Sequence, residues 1–291
     1  MARLLALEWN DSEARLAVAT RRGDRVVFEQ AFSVALRGGP AEPPQPEVDV
    51  GGRIAAAMAA RGVGRLDTLV AIGRSSIELR QLSVPPGPDE ELPLLVRFQA
   101  MREFNALDED WLLDFVPIDD EPGEPRTVLA AAIGPELVGQ IESTCRTAGL
   151  KPERLILRPC AAASLLCRAR AAARMQVRLL VDLLDDEADL TVMIDRKVIF
   201  LRTARLPGDP LTDREAAGAL LAQIRRTMAA VQNRLEGRRV ACVVLCGTGP
   251  EHAALAQRLQ DELAIPADLF DPFEGLSLGS ELQRALPDHP G

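Results

Sequence analysis

The sequence has few of the side chains on which catalysis and metal binding usually depend. It contains no tyrosine and only two histidines, His252 and His289, which lie far apart and lack metal-ligand spacing. We expect both histidines at exposed helix and tail positions. The sequence also lacks a G-x-S-x-G nucleophile motif and a Walker lysine motif. These absences argue against a histidine metal site, a serine hydrolase and a P-loop nucleotidase.

The cysteines are few, odd in number and never arranged as a C-x-x-C pair. Reduced, buried thiols in a cytosolic protein are the plain interpretation of this pattern, and a metal or redox role is the alternative. The five positions are Cys145, Cys160, Cys167, Cys242 and Cys246.

Long apolar runs and long basic runs are both missing. The start, MARLLALEWND, has too short an apolar run for a signal peptide. No stretch reaches the roughly 18 uninterrupted apolar residues of a membrane-spanning helix. The sequence has 34 basic residues, of which 32 are arginines, and 43 acidic residues, so its net charge is −9. We therefore expect a soluble, cytoplasmic protein without a nucleic-acid partner, and attribute the arginine excess to a GC-rich genome.

The sequence does contain enough apolar residues to form a large core. Its 291 residues are 47% hydrophobic, which suits two domains or one bilobed domain. Apolar spacing and turn residues predict alternating strands and helices. Gly149 is predicted to cap the helix that Pro135 opens, and residues 37–49 form a loop rich in Gly and Pro.

The predicted order repeats itself. The strands are 3–9, 14–20 and 25–32, forming an antiparallel meander, then 67–73, 76–82, 111–118, 126–134, 154–159, a hairpin of 178–195 with 197–205, then 239–247 and 267–270. The helices are 51–61, 89–104, 135–149, 160–175, 212–236 and 250–263. Each half begins with a hairpin and continues with alternating helices and strands. This indicates an α/β protein of two related lobes that arose by internal duplication.

Two segments add a family resemblance that runs over essentially the whole chain. They are LRQLSVPPGPDEELPLLVRFQAMREFNALDEDWLLDFVPI (79–118) and VLAAAIGPELVGQIESTCRTAGLKPERLILRPCAAASLL (128–166). In content and order they resemble the PilM pilus-assembly family and the related GspL cytoplasmic domains, within the actin-like, sugar kinase and heat-shock ATPase superfamily. The resemblance implies an actin-like ATPase fold, ribonuclease H-like, with two duplicated lobes and an inserted α+β subdomain in the first.

The resemblance also implies the domain boundaries. The N-terminal lobe covers 1–175, with the inserted subdomain at about 83–158 and a connecting helix at about 160–175, and the C-terminal lobe covers 176–291. Nucleotide-binding relatives insert a further subdomain before the late strand of the second lobe. Here only residues 206–238 lie in that interval, so we expect this nucleotide-covering insertion to be missing. The chain ends at PDHPG, where the family usually adds a closing helix, which suggests a piece of a longer protein.

The family's nucleotide site is expected to have decayed. A working site has a D-x-G hairpin in each lobe, whose glycine lets the backbone approach phosphate. Glu8, Trp9 and Asn10 stand at these positions in the first hairpin. In the second hairpin Asp182 matches, but Leu184 replaces the glycine.

Carboxylates follow where a triphosphate would lie, at Asp185, Asp186 and Glu187. Gly247 and Gly249 correspond to the adenosine turn. We therefore expect a vestigial nucleotide cleft at Glu8, Asn10, Asp182, Asp185, Gly247 and Gly249, with no cofactor, no metal and no catalytic residue. Magnesium binding by Asp182, Asp185 and Asp186 is the alternative.

The function implied by the resemblance is that of a noncatalytic scaffold in a type IV pilus or type II secretion-like system. Such a scaffold is recruited from the cytoplasm to the inner face of the membrane by a PilN-like membrane partner, whose short peptide lies in a groove beside the inserted subdomain. We expect that groove near Phe98, Phe104, Trp111 and Phe115, which are alternatively core residues. The other hypotheses are a drifted but active magnesium-dependent ATPase or kinase, and self-association into filaments.

Overall fold

The structure is a computed structural model that describes residues 2–23, 25–36, 49–105, 107–119, 124–169, 176–184, 186–235 and 237–284. The predicted loop at 37–49 lies outside these ranges except for its last residue, as do Asp185, residues 170–175 and the end of the chain from 285. None of the helices within the described ranges is long and apolar enough to cross a membrane.

Strands and helices alternate along the described chain. The strands are β1 (Ala2–Trp9), β2 (Glu13–Arg22), β3 (Arg25–Ala35), β4 (Asp67–Ile72), β5 (Glu78–Val84), β6 (Leu112–Pro117), β7 (Arg126–Ile133), β8 (Lys151–Leu157), β9 (Val177–Leu184), β10 (Glu187–Ile194), β11 (Lys197–Arg205), β12 (Val240–Cys246), β13 (Ala267–Phe270) and β14 (Ser277–Leu278). The helices are α1 (Val50–Ala60), α2 (Leu92–Glu103), α3 (Pro135–Thr147), α4 (Arg158–Ala169), α5 (Arg214–Val231), α6 (Pro250–Leu263) and α7 (Ser280–Arg284).

Two sheets share one strand order. In the first sheet, β14-β3-β2-β1-β4-β8, the strands β1, β2 and β3 form the predicted antiparallel meander, and β1, β4 and β8 run parallel. In the second sheet, β11-β10-β9-β12-β13, the strands β9, β10 and β11 are antiparallel and β9, β12 and β13 are parallel. Apart from β14, both sheets place their strands in the order third, second, first, fourth, fifth. The predicted duplication is confirmed.

The central strand of the second sheet is buried on both faces, as its apolar sequence requires. Residues 177–182 of β9 are all buried. Val177, Leu179 and Val181 belong to the apolar cluster that includes side chains of α5 and α6, whereas Leu180 packs with side chains of α4. Apolar side chains predominate in a strand that helices cover on both faces, because neither set of alternating side chains meets water. The exceptions among the buried residues of β9 are Arg178 and Asp182.

A third, smaller sheet forms the inserted subdomain. Its antiparallel order is β5-β7-β6, and α2 packs on one face through Leu92, Val96 and Ala100. The β6 side chains alternate in burial, with Leu113 and Phe115 turned to the α2 side. This arrangement leaves β5 and β6 as the two edge strands of the small sheet.

Single residues determine two helix ends and one contact between helices. Asp213 caps α5 by accepting hydrogen bonds from the backbone N–H groups of Glu215 (2.9 Å) and Ala216 (3.4 Å). Gly149, with φ of +72°, follows α3, so its predicted capping role is confirmed. Gly51 in α1 lies against α3, since an added Cβ would stand 2.5 Å from Cβ of Thr147.

Two predicted boundaries were displaced and two short elements were missed. The strand predicted at 154–159 begins at Lys151, because an edge strand tolerates Pro152, which cannot donate a ladder hydrogen bond. The connecting helix predicted at 160–175 begins at Arg158. Both β14 and α7 are too short to show periodicity, and they pack on β3 at the edge of the first sheet.

Contacts divide the described chain into two compact units. Within the described residues, one unit holds the first sheet and combines residues up to 72 with 135–157 and 275–284, and the other combines 73–134 with 158–274. This division differs from the predicted lobes, 1–175 and 176–291. The strands of the small sheet group with the second sheet's unit, and α3 and β8 group with the first sheet, where β8 is the parallel partner of β4.

Candidate functional site

The turn of the first candidate hairpin is held by the side chain of Asn10. Asn10 follows β1, and its Oδ1 atom accepts hydrogen bonds from Ser12 N (2.8 Å), Ser12 Oγ (2.9 Å) and Glu13 N (2.8 Å). This is an Asx turn, in which a side-chain oxygen takes the place of a backbone acceptor. Glu8, near the end of β1, is the cross-strand neighbour of Arg15. The Asn10 oxygen is thereby committed to the turn.

In the other unit Asp182 lies beside the end of β12. Asp182 is buried on β9, directly across from Asp189 of β10. The pKa of the neighbouring Cys246 thiol is raised well above its ordinary value, first by burial and second by the Asp182 carboxylate. The expected carboxylate and the glycine turn therefore lie at the carboxyl ends of two neighbouring parallel strands, β9 and β12.

The glycine turn after β12 is filled by a histidine ring. Gly247 has φ of +131°, and an added Cβ would stand 2.0 Å from Cδ2 of His252. Only glycine combines this backbone conformation with this close approach. His252 was predicted at an exposed helix position, but it is only partly exposed because its ring covers Gly247.

The N-terminus of α6 already faces a carboxylate. Gly249 is the N-cap residue, Pro250 opens the helix, and no side-chain capping hydrogen bond is present at this end. Oε2 of Glu251 lies 3.1 Å from the position of an added Cβ on Gly249. An acidic side chain here stabilises the positive end of the helix dipole and competes with an added anion.

The alternative of magnesium binding by Asp182, Asp185 and Asp186 includes Asp185, which lies outside the described residues. Within the described ranges, no group of three or more His, Cys, Asp or Glu side chains is arranged to hold a metal ion. Glu187, which follows Asp186, forms an ion pair with Arg205, with 3.4 Å between Oε1 and Nε.

Three of the four predicted partner-binding aromatics lie in the core of the inserted subdomain. Phe104 is 5% exposed, and Trp111 and Phe115 are partly buried against the cluster formed by α2, β5 and β7. Phe98 is different, because 58% of its surface is exposed. Of the four, Phe98 alone presents a largely free ring.

Exposed apolar side chains concentrate on this subdomain. Among the described residues, all the large hydrophobic side chains that are strongly exposed lie on α2 or β6: Leu94, Phe98, Met101, Leu112 and Val116. The first three follow one another at four- and three-residue steps, so they form one stripe along α2. We call Leu94, Phe98 and Met101 the α2 stripe. Leu112 and Val116 lie on the opposite face of the small sheet from α2, since strand side chains alternate.

Leu94 and Met101 were not predicted as partner-binding residues, although the spacing of apolar residues in α2 carries a signal for them. The apolar residues of α2 form two stripes, one through Leu92, Val96 and Ala100, which are buried, and one through the α2 stripe, which is not. A helix that packs on a sheet with one face needs only one apolar stripe. The second stripe therefore marks a surface that can be covered by another molecule.

The segment that contains this subdomain carries nearly all of the chain's net negative charge. Residues 73–134 contain five arginines and thirteen acidic residues, against a net charge of −9 for the whole chain. The 3₁₀ turn that precedes α2, Asp89–Glu91, is acidic and exposed, as is Glu103 at its end. Acidic residues therefore outnumber basic ones around the α2 stripe, where Arg102 in the last turn of α2 is also exposed and Asp89 pairs with Arg126.

The duplicated sheets, each with a meander followed by two parallel strands, define an actin-like, ribonuclease H-like α/β fold with an inserted small sheet. No protein-family model matches the sequence, and no curated protein matches it. The chain is similar in structure to a chain of the PilM–PilN type IV pilus biogenesis complex, with 22% identity, coverage of 98% of this chain and 92% of that chain, and a TM-score of 0.77.

A second solved structure has the same fold. It is the cytoplasmic domain of EpsL, an inner membrane component of the type II secretion system of Vibrio cholerae, with 14% identity, coverage of 94% of this chain and 99% of that chain, and a TM-score of 0.52. The fold expected from the resemblance is confirmed.

Proposed function

We propose that this protein is a noncatalytic actin-like scaffold of a type IV pilus or type II secretion-like system, which docks a membrane partner through the inserted subdomain. The observation that carries the proposal is the α2 stripe, three exposed apolar side chains on one helix face. Burying apolar surface of this kind contributes about 25 cal/mol per Å². The likeness of the fold to a chain of the PilM–PilN complex and to the EpsL cytoplasmic domain supports the type of machine.

The charge around the α2 stripe supports one kind of partner segment. Asp89, Glu90 and Glu91 precede the helix and Glu103 ends it. A segment with apolar anchors and basic residues complements this surface. The cytoplasmic flanks of membrane helices are enriched in Lys and Arg, so the juxtamembrane segment of a PilN-like protein has the required composition. The scaffold is then cytoplasmic and reaches the inner face of the membrane through its partner.

In this proposal the cleft residues keep the fold together and catalyse nothing. Asn10 Oδ1 is occupied by three donors of its own hairpin. The His252 ring covers Gly247, and the Glu251 carboxylate lies at the N-terminus of α6 beside Gly249. These contacts support the expectation that the nucleotide-binding residues of this fold are vestigial here, at Asn10 in one unit and at Gly247 and Gly249 in the other.

Vesicle flotation tests the proposal. The purified chain is mixed with liposomes that carry a PilN-like membrane protein of the same organism, with its cytoplasmic segment outward. We expect the chain to float with these vesicles, and to stay at the bottom with empty vesicles or with vesicles whose partner lacks that segment. Flotation with empty vesicles would replace partner docking by direct lipid binding, and no flotation with the partner would refute the proposal.

Phosphate release from ATP with and without magnesium tests the noncatalytic part separately. We expect the same rate as in a buffer blank. A magnesium-dependent rate that is lost in Asp182→Asn would favour the alternative of a drifted but active ATPase.

A further inference from the structure

A cavity of about 640 Å³ in the second sheet's unit is lined by five arginines. They come from four separate segments, namely Arg74 in the 3₁₀ turn Arg74–Ser76, Arg80 on β5, Arg202 and Arg205 on β11, and Arg234 in the 3₁₀ turn Gln232–Arg234. A single arginine does not indicate a binding site in this chain, because nearly every basic residue is an arginine. The convergence of five guanidinium groups on one cavity is the informative feature.

The cavity also lies at two open sheet edges. β5 is an edge strand of the small sheet and β11 is an edge strand of the second sheet. Both contribute to the lining, through Leu79–Gln81 and Ile199–Thr203. Edge strands present backbone N–H groups that their own sheet does not use. These groups add hydrogen-bond donors to those of the arginines.

Positive charge exceeds negative charge in the lining. The carboxylates there belong to Glu103 and Glu187, against the five guanidinium groups. Glu187 is 3.4 Å from Arg205, and Glu103 accepts a hydrogen bond of 2.6 Å from Gln99. Like charges gathered in one cavity repel each other unless an anion lies among them. This surplus stands out in a chain of net charge −9.

Arg74 is the most informative of the five. Its Nη1 donates to the carbonyl of Ile77 at 2.9 Å, but its buried Nε–H has no acceptor. Burial lowers the pKa of Arg74, and the Asp189 carboxylate opposes this shift only in part. A buried donor without an acceptor is unfavourable, because it has given up its hydrogen bond to water. An anion in the cavity would supply both the acceptor and the charge.

Aromatic rings hold two of the guanidinium groups. Arg234 lies over the ring of Phe200, 5.6 Å from its centroid, and Arg80 lies 5.9 Å from the centroid of Phe104. Stacking of this kind limits the rotation of a guanidinium plane before any ligand arrives. Phe200 also lines the cavity, as do Leu129 and Ile199, so one part of the wall is apolar.

We propose that this cavity binds a phosphorylated nucleotide, with the phosphates held by the arginines and the base against Phe200. Arginine pairs with phosphate through two parallel hydrogen bonds, and a polyvalent anion matches the charge surplus. The volume lies within the range of roughly 300–1,000 Å³ found for small-molecule sites. This site goes beyond partner docking, and it is separate from the glycine turn at Gly247.

Isothermal titration of the full chain tests the proposal, with ADP, GDP and pyrophosphate as probes in EDTA at low salt. Because EDTA removes magnesium, nucleotide binding at a metal-dependent cleft does not contribute to the measured heat. We expect one site for a nucleoside diphosphate, weakened roughly tenfold or more in Arg80→Gln and in Arg234→Gln because each loses a charge-assisted hydrogen bond. Arg225→Gln, which removes an exposed arginine paired with Glu262 outside the cavity, is the matched control and should bind like the wild type.

Phe200→Leu separates the two halves of the site. It should weaken the binding of the nucleoside diphosphate more than that of pyrophosphate, because pyrophosphate loses only the stacking that orients Arg234. Three outcomes would overturn the proposal. They are no binding of any probe, a loss of nucleotide affinity in Arg225→Gln equal to that in Arg80→Gln and Arg234→Gln, or a poly-glutamate peptide that binds as tightly as ADP. The last would assign the cavity to an acidic protein segment. Arg80 and Arg234 are exposed at the cavity rim, so both variants should fold, and urea denaturation checks this.

Discussion

Arg158, the first residue of α4, forms a forked ion pair with Asp189 on β10. Its Nη2 and Nε atoms donate to Oδ2 of Asp189 at 2.7 and 3.1 Å, and Thr203 Oγ1 donates to the other carboxylate oxygen at 2.5 Å. Asp189 is 1% exposed. The pair joins the start of the helix to the central part of the second sheet, and it satisfies a carboxylate that the fold could not otherwise bury.

Replacing Asp189 by Ala should lower the free energy of unfolding by about 3 kcal/mol, because it leaves the guanidinium of Arg158 without its partner in a largely buried place. Urea denaturation followed by circular dichroism measures the loss. The control is Glu262→Ala, which breaks the exposed pair with Arg225 and should cost less than about 1 kcal/mol. Equal losses in the two variants would show that burial does not strengthen the Arg158 pair.

Gly51→Ala should destabilise the protein by about 1–3 kcal/mol, since its Cβ would overlap Thr147 of the neighbouring helix. Gly139→Ala, within α3, meets nothing within 4 Å and should raise stability by about 0.4–1 kcal/mol, because alanine restricts the unfolded chain. Thermal and urea unfolding of the two variants provide the comparison. A stabilising Gly51→Ala would contradict the close approach of α1 and α3.

Gly247→Ala should cost about 3 kcal/mol or more, from backbone strain at φ of +131° and from overlap with the His252 ring. In the double variant with His252→Ala, the overlap disappears but the strain remains, so part of the loss should be recovered. A double-mutant cycle by urea denaturation measures this coupling. Strict additivity of the two substitutions would mean that the ring does not cover the turn.

The thiol of Cys145 should resist modification at neutral pH. Burial raises its pKa from an ordinary value of 9.0 to about 11, so the thiol stays protonated and unreactive. The raised pKa contributes stability that is fully present below pH 9 and is lost as pH rises through about 11. Reaction with a disulfide reagent at pH 8 should be slow in buffer and complete in urea. Rapid labelling of Cys145 in the folded protein would contradict its burial.

Local patterns predicted most of the fold. The antiparallel meander of β1, β2 and β3 and the glycine that caps α3 are local features, and both were predicted correctly from the sequence. The Lys151–Glu153 segment was missed because a proline in a strand is acceptable only at a sheet edge, and edge position is a long-range property.

The candidate sites were harder to predict because they depend on long-range contacts. Nothing local distinguishes Phe104, which is buried, from Phe98, which is exposed; the difference arises from which face of α2 meets the small sheet. The cavity that joins Arg74 with Arg234 depends on segments about 160 residues apart in the chain, a separation at which sequence periodicity carries no information.

The proposed function requires the α2 stripe to dock a basic, apolar partner segment. The most direct test is isothermal titration of a synthetic peptide, the cytoplasmic segment of the PilN-like protein, into the wild type, Phe98→Ser and Leu112→Ser. Phe98 and Leu112 are similarly exposed, at 58% and 51%, but lie on opposite sides of the subdomain. We predict at least tenfold weaker binding for Phe98→Ser with unchanged stability, wild-type affinity for Leu112→Ser, and weaker binding at higher salt. Wild-type affinity in Phe98→Ser would contradict the account.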